Sequence, residues 1–396
     1  MSHASLILNK NAEKRIRQGH LWVFSNEVDT KKTPLSDFEM GQQVNIVSAK
    51  GQQLGAATVN PQALICARIF SRTADQGLTK RFFAKRIERA LSLREAYFDQ
   101  PFYRLVYGDS DFLPGVIADR YGDYLVVQIA TAGMEACKDE ILHAFNKVLE
   151  PKGIVLANDH SARTLENLPS YTEVIGEVPE YLQLEENNTL FTIPSQGGQK
   201  TGWFYDHRIN RAEMAKWVKG KSVLDVFSYA GGWGVTAAVK GAQSVTCVDV
   251  SAKALDLVEK AAELNKVDDR ILAIEGKAVH VLKMLIDEEQ KYDVVVLDPP
   301  AFIKRKKDQK AGEAAYRHLN ELAIRLLKRD GLLVSASCSM HLAQDTLTDI
   351  VRGAAMHLDR DAQLVYSGSQ GPDHPRHPAI EQTNYIKAQF YRISHR

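Results

Sequence analysis

Along the first seventy or so positions apolar residues come in short runs: Leu21–Phe24, Val44–Val47, Leu54–Val59 and Leu64–Phe70. Turn formers such as Ala49-Lys50-Gly51 and Asn60-Pro61 separate them. Short strands at that spacing predict a small, mostly antiparallel β-barrel. The period then changes. Residues 78–98 are charged, with Phe82, Phe83, Ile87, Ala90, Leu91 and Leu93 at helical spacing. Residues 115–119 and 124–129 form a hairpin pattern around Arg120-Tyr121-Gly122-Asp123, followed by a helix over 135–149 and a strand over 153–157. That mixture predicts an α+β central region.

From about Ser195 the pattern alternates regularly. Strands are expected at 222–227, 244–249, 271–275, 293–298 and 331–337, and helices at 233–240, 252–265, 278–290 and 313–328. Runs such as Val294-Val295-Val296-Leu297 are apolar without alternation, as in strands covered on both faces. The prediction is a doubly wound, Rossmann-like α/β domain with a parallel core. Two late runs, 363–366 and 385–391, read as antiparallel strands added to its edge. The domain division that follows is 1–75, 76–194 and 195–396.

Composition changes this picture in two places. The net charge of +1 is distributed as +7 over residues 1–105, −10 over 106–190 and +4 over the remainder, so contacts to a polyanion belong to the first region. The four cysteines, Cys66, Cys137, Cys247 and Cys338, form no C-x-x-C pair, which argues against a zinc site or a disulfide framework. The chain shows neither a signal-peptide pattern nor a membrane-length apolar run, so a cytoplasmic protein is expected.

The sharpest chemical signal is Val223-Leu-Asp-Val-Phe-Ser-Tyr-Ala-Gly-Gly-Trp-Gly234, a buried strand entering a Gly-rich turn that opens a helix. It lacks the G-x-G-x-x-G spacing of dinucleotide sites. Instead Asp225 lies in the strand, and Asp249 ends the next strand 24 residues later, ahead of the N-cap Ser251. An acid at that second strand end suits ribose hydroxyls. An acid at the first turn suits a cationic amino-acid moiety and would repel a pyrophosphate. That charge pattern points to S-adenosylmethionine. Strand four closes with Asp298-Pro299-Pro300-Ala301-Phe302 and strand five with Ser337-Cys338-Ser339. Ligands in open α/β sheets bind beyond the carboxyl ends of the strands. Asp298 there can bond the polar edge of a nucleobase, and Cys338 can act as a nucleophile. The basic run Lys304, Arg305, Lys306 and Lys307, continued by Lys310, adjoins Asp298 and suits an RNA substrate.

With these motifs in their order, the chain resembles the bacterial 23S rRNA cytosine-5 methyltransferases that join an N-terminal PUA domain to a Rossmann-like catalytic domain. The resemblance is carried by His20–Glu27, Leu113–Gly122, Lys200–Arg208, Phe227–Gly232, Asp298–Phe302 and Ser337–Ser339. It implies that Cys338 adds to C6 of the target cytosine while Asp298 holds the N3/N4 edge. It implies a cofactor site of Asp206, Arg208, Asp225, Phe227, Ser228, Tyr229, Gly231, Gly232, Asp249, Ser251, Gly276 and Pro299. The implied partner is 23S rRNA, and the assembly admits a homodimer. Two positions depart from the family: Lys277 stands where an adenine-contacting acid is common, and His207 where glutamine is. Pro300 replaces the second cysteine of related two-cysteine enzymes. Two other classes compete. An amino-group methyltransferase of adenine or guanine would need the Asp-Pro-Pro motif but no cysteine. An RNA-binding factor with a vestigial cofactor fold would not keep the acids and glycines.

Overall fold

The computed structural model describes residues 2–199 and 201–395. Its contacts fall into two compact units. The first runs to Leu182 and takes in Pro194–Trp203 and Pro372–Thr383. The second holds Gln183–Ile193, Phe204–Gly371 and the residues from Asn384 onward.

The first unit contains two five-stranded sheets. In one, β1 (Ala4–Ile7), β2 (Trp22–Phe24), β3 (Gln43–Val47), β4 (Gln53–Val59) and β5 (Ile65–Ser71) lie in the order β1-β3-β4-β5-β2. β1 pairs parallel with β3, and the other neighbours are antiparallel. A bridge between Leu8 and Val28 joins the segments that follow the two edge strands. Leu6, Val23, Val44, Ile46 and Ile69 are fully buried beneath this sheet. In the other sheet, β6 (Phe102–Tyr107), β7 (Val116–Tyr121), β8 (Tyr124–Ile129), β9 (Gly153–Asn158) and β10 (Tyr171–Gly176) lie in reverse sequence order. Helices Lys80–Glu95 and Lys138–Leu149 pack on each other and on that sheet through Phe83, Ile87, Ile141 and Phe145. The Thr79 hydroxyl caps the first of them by accepting the Phe82 N–H at 3.2 Å. Near its end Arg94, wholly buried, forms a two-pronged pair with Asp111 at 2.7 Å on each arm.

A hairpin of β11 (Tyr181–Glu186) and β12 (Thr189–Pro194) follows. Its two loop residues, Asn187 and Asn188, both take positive φ, 54° and 57°, the demand of the tight turn that matches strand twist. The second unit is built on a seven-stranded sheet of β13 (Ser222–Val226), β14 (Ser244–Asp249), β15 (Ile271–Glu275), β16 (Tyr292–Leu297), β17 (Leu327–Ser337), β18 (Arg360–Gly368) and β19 (Lys387–His395). Their order is β15-β14-β13-β16-β17-β19-β18. The first five run parallel, and β19 inserts antiparallel between β17 and β18. The chain order reverses at β13 and β16, so a crevice opens beyond their carboxyl ends.

Several element boundaries differ by a few residues from the sequence expectation, and the end of one helix shows why. The helix expected over 313–328 spans Gln309–Arg325, and β17 begins at Leu327. Leu326 and Leu327 continue the helical apolar spacing but belong to the turn and the strand. An excursion at 328–331, with Asp330 at φ 59°, then shifts the pairing between β16 and β17. Helix Gln344–His357 also covers the sheet and has no counterpart in the sequence reading. Among the described residues, no helix is long and apolar enough to cross a membrane.

Candidate active site

The crevice of the second unit is shaped first by backbone. After β13 the chain bends so sharply that Phe227 (φ 67°) and Tyr229 (φ 47°), neither of them glycine, sit in the left-handed region. Such conformations cost on the order of 1–3 kcal/mol each and persist where the surroundings impose them. Here the Phe227 and Ser228 N–H groups both donate to the Val248 carbonyl, at 2.9 and 3.0 Å, and the Tyr229 N–H donates to Asp249 Oδ2 at 2.9 Å. The other Asp249 oxygen accepts the Ser251 N–H at 2.9 Å, and Ser251 Oγ caps the next helix through the Ala254 N–H. Asp249 therefore fastens the β13 and β14 loops together and keeps its outward lone pairs. Gly276 donates to the Asp249 carbonyl at 2.9 Å, so the β15 end joins the same rim. Lys277 beside it is exposed.

Asp225 lies on β13 with no solvent exposure. Its Oδ2 accepts the Gly234 N–H at 2.8 Å, and Oδ1 has no partner. Burial, helped by the negative charges of Asp298 and Asp249, raises its pKa to about 7, against the pull of the Gly234 N–H and Arg211. The glycine is obligatory: a Cβ at Gly234 would lie 2.4 Å from Cys247 Sγ and 3.0 Å from Asp225 Oδ2. At Gly231 (φ 80°) it would meet Val235 at 2.6 Å. Ser228 Oγ is likewise buried without a partner. A rim with an unsatisfied carboxylate oxygen, an unsatisfied hydroxyl and a backbone too tight for side chains fits a cationic, hydrogen-bonding small molecule. Asp225, Ser228 and Asp249 are the groups that would hold it.

The segment before the domain contributes a second layer. Lys200 of the expected motif lies outside the described residues, 201–203 group with the first unit, and the second unit resumes at Phe204. Buried Asp206 accepts the Tyr385 hydroxyl at 2.6 Å. Arg208 stacks on the Tyr205 ring and lies 3.5 Å from Glu186, so its guanidinium is turned toward that hairpin residue. The principal partner of Glu186 is Arg211, which contacts it at 2.6 and 3.0 Å and also donates to the Phe204 carbonyl. Arg211 further lies against Gly232, where a Cβ would sit 3.1 Å from its guanidinium. Neither Glu186 nor Arg211 stands out in the sequence, because nothing local marks a pair 25 positions apart.

At the ends of β16 and β17 the two chemical motifs meet. Asp298 Oδ2 accepts the Trp233 indole N–H at 2.9 Å, and Oδ1 lies 3.4 Å from His207 Nε2 without hydrogen-bond alignment. Cys338 Sγ is 3.9 Å from the Pro299 carbonyl, a long contact that puts thiol and Asp-Pro-Pro loop side by side. The serines flanking it are anchors: Ser337 and Ser339 Oγ both bond Tyr316 Oη, at 2.8 and 2.9 Å. Cys338 is partly exposed, whereas Cys66, Cys137 and Cys247 are buried. Burial pushes Cys66 up to about 12 and Cys137 to about 11, and raises Cys247 well above the ordinary thiol range. A residue that the sequence motifs do not include stands behind the thiol. Lys387 Nζ, almost wholly buried, donates to the Ser339 carbonyl at 2.6 Å, and burial lowers its pKa to about 8 while the nearby Cys338 pulls upward. Its signal would have been a lysine in the strand that pairs with Ser337. Lys304, Arg305, Lys306 and Lys307 are exposed, with Arg305 paired to Asp308 at 3.1 Å.

Comparison with known proteins agrees with this geometry. Residues 6–72 match a PUA-like domain, and residues 152–390 match the S-adenosylmethionine-dependent methyltransferase family. The chain is similar to the ribosomal RNA large subunit methyltransferase I of Aliivibrio fischeri, at 34% identity over 98% of this chain and 99% of that one. Two solved structures share the fold at 22% identity, each covering 98% of this chain and 100% of its own: a protein from Streptococcus mutans described as a SAM-dependent methyltransferase (TM-score 0.82), and a methyltransferase complexed with SAH (TM-score 0.84). With a PUA-like domain ahead of a nucleoside-binding crevice, the chain belongs to the S-adenosylmethionine-dependent methyltransferase family that includes the ribosomal RNA large subunit methyltransferases I, and its cofactor is S-adenosylmethionine.

Proposed function

We propose that this chain methylates C5 of a cytosine in 23S rRNA, in the cytoplasm, with Cys338 as nucleophile and Asp298 as the group that holds the base. The observation that carries the reading is the pairing of the one partly exposed cysteine with the Asp-Pro-Pro loop, at 3.9 Å between Cys338 Sγ and the Pro299 carbonyl. The bound cofactor supplies an electrophilic methyl group. C5 of cytosine is too weak a nucleophile to take it unaided, which is why a covalent route is needed. The Cys338 sulfur bonds to C6 after losing its proton, and the electron pair of the C5–C6 double bond becomes available at C5. Once C5 carries the methyl group, loss of its proton expels the thiolate and restores the ring. Asp298 would bond the N3/N4 edge while Trp233 keeps the carboxylate oriented. Reaching C6 requires the base to leave its stack. Asp206, Arg208, Asp225, Phe227, Ser228, Tyr229, Gly231, Gly232, Asp249, Ser251, Gly276 and Pro299 form the proposed cofactor site. Lys304, Arg305, Lys306 and Lys307 supply phosphate contacts.

The competing amino-group chemistry needs the Asp-Pro-Pro motif but no cysteine, so Cys338 beside that loop favours the cytosine-5 reading over it. Transfer from labelled cofactor to in-vitro-transcribed 23S rRNA, followed by nucleoside analysis, tests the proposal. Wild type should yield 5-methylcytidine, Cys338→Ala should yield none with cofactor affinity intact, and RNA with 5-fluorocytosine at the target should trap a covalent complex. Turnover by Cys338→Ala, or methyl groups on an exocyclic nitrogen, would refute it.

A further inference from the structure

We propose that the first unit carries its own phosphate-binding groove, along helix Lys80–Glu95 beside the end of β5, which grips the rRNA backbone. This rests on the reading of the chain as an RNA methyltransferase, but assigns the grip to basic residues that belong neither to the catalytic crevice nor to the segment matching a PUA-like domain, which ends at residue 72 and lends the groove Ser71 alone.

A groove of about 580 Å³ opens there, and Arg81, Lys85, Arg86 and Arg89 line it. The remaining lining residues supply hydroxyl, amide and ring groups, and none is a carboxylate. Arg81, Lys85 and Arg89 recur every fourth residue, so they form one stripe, stepped at roughly 6 Å from each to the next along the axis. Like charges at that spacing repel and weaken an isolated helix. Among the described residues none of the four is within ion-pair distance of an acid, so no carboxylate of the fold neutralises the stripe. A polyanion laid in the groove would.

The groove is also preorganised. Arg86 is half-buried, its guanidinium 5.2 Å from the centroids of both Phe82 and Phe112, and it donates to the Phe70 carbonyl at 3.3 Å. Arg89 lies over the same Phe112 ring at 5.6 Å. Phe112 itself holds φ 59°, the left-handed conformation that a bulky residue adopts when its setting demands it. Stacked guanidiniums keep their outer N–H groups directed and lose less freedom on meeting a phosphate. Exposed Arg81 and Lys85 supply long-range attraction.

The test uses the full chain, with Lys85→Glu/Arg89→Glu as the main variant and Lys85→Ala/Arg89→Ala as the milder one. Both leave the half-buried Arg86 untouched. Binding to in-vitro-transcribed 23S rRNA is measured across a salt series, with thermal melting and cofactor titration as controls. Charge reversal should weaken RNA binding at least tenfold at about 100 mM salt. It should flatten the dependence of log K on log salt by about 1–2, since each lost phosphate contact removes roughly 0.7–0.9. Cofactor affinity and melting should stay at wild type. Wild-type RNA affinity and salt slope in a folded variant would overturn the groove, as would loss of binding to large-subunit particles with naked-transcript binding intact. A wild-type enzyme that binds the transcript without methylating it would count against the proposed function alone, because the groove is read by binding.

Discussion

Replacing Asp225 by asparagine should strengthen the folded chain above neutral pH while weakening its hold on the cofactor. The carboxyl is fully buried and its pKa is raised from 3.8 to about 7, chiefly by burial. At about 1.4 kcal/mol per pKa unit, keeping Asp225 ionised in the fold costs on the order of 4 kcal/mol at pH 8. The sign follows from proton counting. Between pH 4 and 7 the unfolded chain has lost this proton and the folded chain retains it. Wild-type stability therefore falls as pH rises through that window and levels off above it. The asparagine side chain would keep the acceptor for the Gly234 N–H, but would bury an amide N–H₂ where Oδ1 now has no partner, a penalty of about 1–3 kcal/mol. The net expectation at pH 8 is stabilisation by about 1–3 kcal/mol, and at pH 5 a neutral or destabilising effect. Thermal melts of both proteins without cofactor, from pH 5 to 8, measure the difference directly. A change in melting temperature that is the same at every pH would refute the electrostatic account, whatever its size. Calorimetric titration of S-adenosylmethionine should show weaker binding to the variant, because the carboxylate that favours a cationic ligand is gone.

Asp249→Ala should lower cofactor affinity by at least about 1–3 kcal/mol in the same titration, since it removes the proposed ribose acceptor and unfastens the Tyr229 and Ser251 N–H groups. Arg211→Met leaves Glu186 buried without its two-pronged partner and should cost about 3–5 kcal/mol in denaturant unfolding. Lys387→Met removes the donor on the Ser339 carbonyl and the cation behind Cys338; single-turnover methyl transfer should slow at least about tenfold with cofactor affinity unchanged, in line with a positioning role. Gly234→Ala forces a Cβ to 2.4 Å from Cys247 Sγ and should destabilise by about 1–3 kcal/mol, read as a lower melting temperature. Point charge reversals test RNA capture more cleanly than deletion of residues 1–75 would. Those residues supply a whole sheet of the first unit, so their removal would change folding as well as binding.

The sequence by itself determined what depends on neighbours along the chain. The apolar runs of β13, β14 and β16 announced buried parallel strands, while β15, also parallel, lies at the sheet edge with Leu272 exposed. The Asp225–Gly234 turn announced a small-molecule site, and the Asp-Pro-Pro and Ser-Cys-Ser motifs marked two strand ends. Cys66 and Cys247 were readable as interior because each lies in an apolar run, whereas Cys137, flanked by Glu135, Lys138 and Asp139, is buried only by the tertiary fold. The tertiary structure decided what depends on residues far apart. Strand order brought Cys338 next to Pro299 across 39 positions, and the insertion of β19 beside β17 put Lys387 behind the thiol, bonded to a carbonyl 48 positions away. The hairpin that carries Glu186 was invisible because Asn187 and Asn188 show their turn chemistry only once both strands exist to be joined. Pro372–Thr383 groups with the first unit although the long stretch Phe204–Gly371 of the second precedes it, which no linear division of the chain could express. Local period and turn chemistry act within a few residues, whereas burial, pairing and pKa are set by what the folded chain brings into contact.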